Sequence, residues 1–262
     1  MNSRRELFLE EMGLTPLWRR RNREAPHEAP EVQMPAPPRE ASRDDAAPQP
    51  PRHTAPAADE RAAAIARMDW TALKAAVAAC TACGLRKTCK QTVFGVGDEQ
   101  ADWLLAGEAP GAEEDARGEP FVGQAGKLLD AMLAGIGLKR GEDVYIANVL
   151  KCRPPGNRNP EAAEVAQCAP FLARQVELIR PRLILAMGRF ACQTLLDTDA
   201  SIASLRGRVH RYRGVPLIVS YHPAYLLRNL PDKAKAWEDL CFARRTMADL
   251  RQQAENRAPA KT

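Results

Sequence analysis

Glu108, Asn148 and His222 have the side-chain types and the spacing to do chemistry together. Each follows or closes a short apolar run: Trp103 to Ala106, Val144 to Val149, and Pro216 to Ser220. A carboxylate can orient water or oppose a developing cation, an amide reads a hydrogen-bond pattern, and an imidazole donates or accepts at neutral pH. Runs of this kind alternating with helical segments form a parallel sheet, and all three residues then project from its carboxyl edge, where ligands bind. Each also has a plainer reading. Glu108 and Glu114 flank the Pro110-Gly111 turn and can cap the helix that follows. An Asn at a strand end is often a turn residue, and a His before Pro is often a loop residue. Their coincidence on one edge favours a site. His210 sits among Arg206, Arg208, Arg211 and Arg213 and reads as part of a solvated basic ribbon, while His27 and His53 read as solvated.

Seven cysteines in a chain with no extracellular signature argue for metal or redox chemistry rather than a disulfide framework. Cys80 and Cys83 form a C-x2-C pair, Cys152 follows the Asn148 strand, and Cys168 falls in a long helix. Four thiolates from two local groups suit either tetrahedral zinc or a cubane iron–sulfur cluster. Cys192 and Cys241 read as small core residues, and Cys89 as a free loop thiol that is near enough to Cys83 to replace a ligand.

The elements that position these residues follow in order. Asp59 to Ala79 has helical periodicity. Gln91 to Gly97 reads as an edge strand or packed loop, and its glycines lack the third position of a dinucleotide fingerprint. Helices are expected over Lys127–Ile136, Pro160–Ile179, Phe190–Leu196 and Ala234–Gln252. Strands are expected over the three runs above and over Leu183–Met187. This predicts an α/β fold of three layers around a central four-stranded, mainly parallel sheet. Residues 25 to 57 hold nine prolines and no aromatic, Leu or Ile, so they cannot bury a core. The expected organisation is a basic and apolar motif over 1–23, a disordered linker over 24–58, one domain over 59–252 and a polar tail over 253–262. The first segment reads as a short motif that docks on a partner protein or on DNA, the plainer reading being a helix that folds back on its own domain. Net charge is +5, which permits a nucleic-acid partner without requiring one. No apolar run can span a bilayer and the N-terminus lacks a signal-peptide core, so a cytoplasmic protein is expected.

With these residues in place, the chain resembles the bacterial family-four uracil-DNA glycosylases, the iron–sulfur branch of that superfamily. The resemblance covers about Cys80 to Leu250. It rests on Gly107-Glu108-Ala109-Pro110-Gly111 with Glu114-Asp115, on Pro120-Phe121-Val122-Gly123 with Ala125-Gly126, on Asn148 with Lys151-Cys152-Arg153-Pro154-Pro155, and on His222-Pro223. It implies hydrolysis of the N-glycosidic bond of deoxyuridine in DNA, leaving an abasic site; nothing in the sequence calls for an oligomer, so a monomer is expected. It also implies a structural 4Fe–4S cluster on Cys80, Cys83, Cys152 and Cys168.

The resemblance assigns roles residue by residue. A base inside a duplex is out of reach, so the nucleotide must be flipped into a pocket. Gly107, Ala109, Phe121 and Asn148 would line that pocket, with Phe121 stacked on uracil and the Asn148 amide paired to O4 and N3–H. Cytosine reverses that pattern, and thymine must be rejected at C5. His222 would stabilise the charge growing on O2. Glu108 would orient water, with Glu114 as second choice or as a support for the loop. A related branch has Asp where this chain has Ala109, which shifts that task to a Glu. Leu226 or Leu227 would wedge into the duplex, and Arg153, Arg158, Arg228 and Arg206 to Arg213 would meet phosphates. Rival readings are a silent iron–sulfur DNA-binding or polymerase-associated module, opposed by the intact Glu108, Asn148 and His222; a zinc nucleotide hydrolase, opposed by the lack of a phosphate-binding glycine loop and of clustered His/Asp ligands; and, within the superfamily, a glycosylase for another deaminated base or one that bonds covalently to uracil, the last opposed by the lack of histidine in Pro154–Pro160.

Overall fold

A computed structural model describes residues 56–257. The 1–23 motif, the linker up to residue 55 and the last five residues lie outside it. The apolar runs become strands β2 (Trp103–Gly107), β3 (Val144–Asn148), β4 (Leu183–Met187) and β6 (Val215–Ser220). These four are parallel neighbours in the order β3-β2-β4-β6. The sheet has six strands rather than the expected four, because an antiparallel strand closes each edge: β1 (Val96–Gly97) beside β3, and β5 (His210–Tyr212) beside β6. The "basic ribbon" is thus an edge strand. Arg213 and Gly214, both at positive φ (48° and 84°), make the two-residue turn whose twist suits a hairpin. Basic residues on an edge strand also discourage pairing with another chain.

Helices cover both faces. Alternation along β2 sends Leu104 and Ala106 toward α5 (Ala162–Ile179) and α6 (Arg189–Leu196), where Leu172, Val176 and Cys192 meet them. Trp103 and Leu105 face the other way, toward α4 (Gly123–Gly135) and α9 (Asp232–Arg257), against Leu129, Leu133, Leu240 and Met247. Burial on both faces explains why the strands read as continuous apolar runs. The helix expected over Asp59–Ala79 is two helices, α1 (Pro56–Ile65) and α2 (Trp70–Ala78). Asp69 breaks it by capping α2, accepting the Ala72 amide at 2.8 Å. Three short helices complete the described α-helices: α3 (Ala112–Arg117), α7 (Ile202–Leu205) and α8 (Pro223–Leu226). No described helix is long and apolar enough to cross a membrane.

Candidate active site at the carboxyl edge of the sheet

Register aligns the strand ends. Gly107 pairs with Asn148, Met187 with Ser220, and the Gly188 amide donates to the Ser220 carbonyl at 2.9 Å. Glu108, Asn148, Gly188-Arg189 and Tyr221-His222 therefore emerge side by side, lining one cleft of about 840 Å³ with Ala109, Glu114 and Phe121. Its size suits a small-molecule or nucleobase ligand. Asn148 is 2% exposed, and its Oδ1 is one of two buried side-chain polar atoms without a partner among the described residues. The other, Trp103 Nε1, is at the far end of β2. Gly107 makes room beneath the amide: a Cβ there would sit 2.3 Å from Asn148 Oδ1 and 2.5 Å from Phe121 Cζ.

The Phe121 ring stacks near His222, with centroids 5.1 Å apart and planes at 25°. Phe121 has φ of 52°, a costly conformation for a bulky residue, so its surroundings must hold it there. Arg140 donates to the Pro120 and Phe121 carbonyls at 3.1 and 2.8 Å. Glu114 accepts the Val122 amide at 3.1 Å and the Gly111 amide at 3.0 Å. Both Glu114 oxygens are therefore engaged in binding the two loops together. Glu108 faces the cleft; burial raises its pKa above the ordinary carboxylate value, and the Arg189 guanidinium opposes that rise. His222 Nδ1 accepts the Ala224 amide at 3.1 Å, so the proton of the neutral ring is on Nε2. Burial and the nearby Arg228 charge pull its pKa down to about 4, which keeps the ring neutral.

Cys80, Cys83, Cys152 and Cys168 line one cavity with Val77, Leu85 and Phe171. The structure thus gathers all four expected ligands at the corner where α1, α2 and α5 meet the segment after β3. Cys152 and Cys168 are buried, and burial together with neighbouring thiols pushes their pKa values up, that of Cys168 to about 11. Among the described residues no three His, Cys, Asp or Glu side chains form a group that could hold a single metal ion. Arg61 donates to Cys80 Sγ at 3.5 Å, and the Lys151 amide donates to Cys168 Sγ at 3.2 Å. Cys89 is a free thiol in the loop after Lys87, as expected, and is buried there beside Cys152. Asp115 accepts the Lys90 amide at 2.8 Å and so ties this corner to α3.

Several expected DNA contacts change. Leu226 is 1% exposed, packed among Tyr221 and Ala236, and is a core residue that cannot enter a duplex; its neighbour Leu227 is 41% exposed. Arg206 forks onto Asp239 and Glu238, Arg158 onto Glu164, and Arg213 pairs with Glu177, so these guanidiniums are engaged within the protein. Arg153 donates to Asn157 Oδ1 at 2.8 Å and Arg228 is exposed on the cleft. Sequence reasoning missed Gly188, Arg189, Tyr221 and Tyr225 as cleft residues. The signal for the first two was present, since Gly188 closes a strand on the same edge as Glu108. The φ of Gly188 is +91°, and a Cβ there would sit 2.9 Å from the Cβ of His222.

A doubly covered sheet with four parallel central strands, a cleft at their carboxyl ends and these side chains in it defines an α/β protein built to receive a small planar polar ligand. Comparison with known proteins makes this specific. Residues 94–241 match the Uracil DNA glycosylase superfamily, and the chain belongs to it. It is 50% identical over 159 residues to the type-4 uracil-DNA glycosylase of Archaeoglobus fulgidus, covering 58% of this chain and 79% of that one. It is 40% identical over 183 residues to the type-4 enzyme of Pyrobaculum aerophilum, covering 67% and 93%. Identity to the type-4 enzyme of Thermotoga maritima is 45% over 152 residues, covering 57% and 79%.

Proposed function

We propose that this protein excises uracil from DNA by hydrolysing the N-glycosidic bond, leaving an abasic site. The observation that carries the reading is the unpartnered, buried Asn148 Oδ1 at the floor of a cleft walled by Phe121 and His222. A buried acceptor without a donor is costly, and uracil N3–H supplies the donor. The Asn148 amide can donate to O4 at the same time, a pattern that cytosine cannot match. Phe121 stacks on the flipped base. Neutral His222 donates from Nε2 to O2 as negative charge grows there, and its depressed pKa means that it donates without first being charged. Glu108 orients water and opposes the oxocarbenium-like sugar. Arg228 and Arg153 meet phosphates, and Leu227 fills the space that the base leaves.

Cys80, Cys83, Cys152 and Cys168 line one cavity, and a donor set of four thiols fits the 4Fe–4S cluster of the iron–sulfur branch. When bound, the cluster supplies positive charge for crowded thiolates and a rigid tie between the loop after Cys83, the segment after β3 and α5. We further propose a cytoplasmic monomer whose residues 1–23 dock on a partner protein through a linker that ends where α1 begins at Pro56. The test is base release from a uracil-containing oligonucleotide by anaerobically purified protein, read as alkaline cleavage at the abasic site. Cleavage at uracil by the wild type, and its loss or its extension to cytosine in Asn148→Asp, are expected. An Asn148→Asp variant with unchanged selectivity removes Asn148 from the pocket, and no cleavage by the wild type removes the activity.

A further inference from the structure

Lys151 is a buried cation for which the reaction above has no use. It is 2% exposed, and no carboxylate pairs with it among the described residues. Its ammonium donates to three neutral acceptors: the Gln175 side-chain oxygen at 2.7 Å, the Asn148 carbonyl at 2.9 Å and the Phe94 carbonyl at 3.1 Å. Three donors thus meet three acceptors, which is what makes an unpaired buried ammonium tolerable. The acceptors belong to three separate segments: α5, the end of β3, and the loop before β1. Gln175 completes the knot by donating to the Phe94 carbonyl at 3.0 Å and to Tyr145 Oη at 3.3 Å. An apolar side chain of similar length would fill this space without desolvating a charge. The ammonium therefore needs a reason beyond packing.

Asn148 supplies one. No protein donor holds its Oδ1, and the space beside the amide is bounded by the bare Gly107 and the Phe121 ring. The direction of the amide is thus inherited from the Asn148 backbone. We infer that Lys151 is the positioning residue for uracil recognition: its ammonium fixes the Asn148 peptide, and with it the angle at which the Asn148 amide meets the base. The inference rests on the glycosylase reading above. It also explains a link between the two functional corners. The same residue that holds the Asn148 carbonyl through its side chain holds Cys168 Sγ through its amide.

The test uses the full chain with Lys151→Met, which keeps the length of the side chain and removes the ammonium. Leu172→Ala serves as a control, since it opens the α5 core without touching Asn148. Four quantities are measured: kcat on a uracil-containing oligonucleotide, the inhibition constant of free uracil, the affinity for uracil-free DNA, and iron content. In Lys151→Met, kcat is expected to fall about 10- to 100-fold, the range for a displacement near 1 Å, and free uracil to inhibit correspondingly less well. Affinity for uracil-free DNA and iron content should match the wild type. In Leu172→Ala melting temperature should drop while uracil inhibition stays normal. The inference is overturned if Lys151→Met keeps wild-type uracil inhibition, or loses it only as far as Leu172→Ala does at equal loss of stability. Should Lys151→Met fail to fold, Gln175→Met removes one acceptor and is expected to weaken uracil inhibition in the same direction; normal inhibition there overturns the inference too. A wild type that releases no base removes the glycosylase reading and this inference with it, whereas an active wild type beside an unaffected variant removes the inference alone.

Discussion

Gly107→Ala tests the geometry of the base pocket without deleting any group that touches substrate. The added Cβ would lie 2.3 Å from Asn148 Oδ1 and 2.5 Å from Phe121 Cζ, where ordinary contact begins near 3.4 Å. Amide and ring must each give way by about 1 Å, because the strand is held in place: Gly107 pairs with Asn148 of β3 and its carbonyl accepts the Val149 amide at 2.9 Å. A misplacement of that size costs about 100-fold in rate. Overpacking costs stability as well, roughly 1–3 kcal/mol, which a domain of this size survives with its fold intact. The assay is single-turnover uracil release well below the melting temperature, beside a thermal melt. The expected result is a folded protein with a modestly lower melting temperature and a rate down by about two orders of magnitude. An unchanged rate, or a loss no larger than the loss of folded protein, would refute the account of Gly107 as the clearance beneath the reading amide.

The pH profile offers a second check. Glu108 acts ionised and burial raises its pKa, so excision should fall as pH drops through a value above the ordinary 4.5, and Glu108→Gln should abolish that limb along with about 10²- to 10⁴-fold of the rate. His222 stays neutral down to about pH 4 and so adds no limb near pH 6; a limb there that vanishes in His222→Gln would contradict the assignment of its proton. Leu226→Ala and Leu227→Ala should separate: the first costs about 2–5 kcal/mol of stability, the second leaves the melt unchanged and weakens excision from duplex DNA. Equal effects on both would mean that the wedge is elsewhere. Cys168→Ser should bleach the visible absorption of anaerobic protein and lower its melting temperature; a variant retaining full iron would take Cys168 out of the ligand set.

Much of this was legible before any coordinates. The four central strands read as apolar runs because both faces of the sheet are covered, and their polar terminators marked the edge of the cleft. Spacing marked only the Cys80–Cys83 pair as a tight ligand pair, and the family resemblance joined Cys152 and Cys168 to it in one ligand set. What stayed hidden depended on partners far along the chain. Nothing near Arg206 announces Asp239, 33 residues on, so its guanidinium read as free for phosphate. Leu226 and Leu227 are alike in type, and only the angle at which a single helical turn lands on Tyr221 and Ala236 buries one and exposes the other. The break at Asp69 was a local capping signal set inside a helical composition that overrode it. The edge strand at His210–Tyr212 looked like solvent-facing arginines because an edge strand with one face in water is just that.

The order of strands has a consequence for how the protein comes into being. Asn148 ends β3, Glu108 follows β2, and His222 follows β6, which is made after β4 and so completes the parallel core late in synthesis. Contacts across this sheet span long stretches of chain, a topology that folds slowly and as a whole. A nascent chain released before residue 222 would carry the acid, the amide and all four cavity thiols, yet would have no wall opposite Phe121. The part of the cleft around His222 is thus synthesised after the rest of its walls.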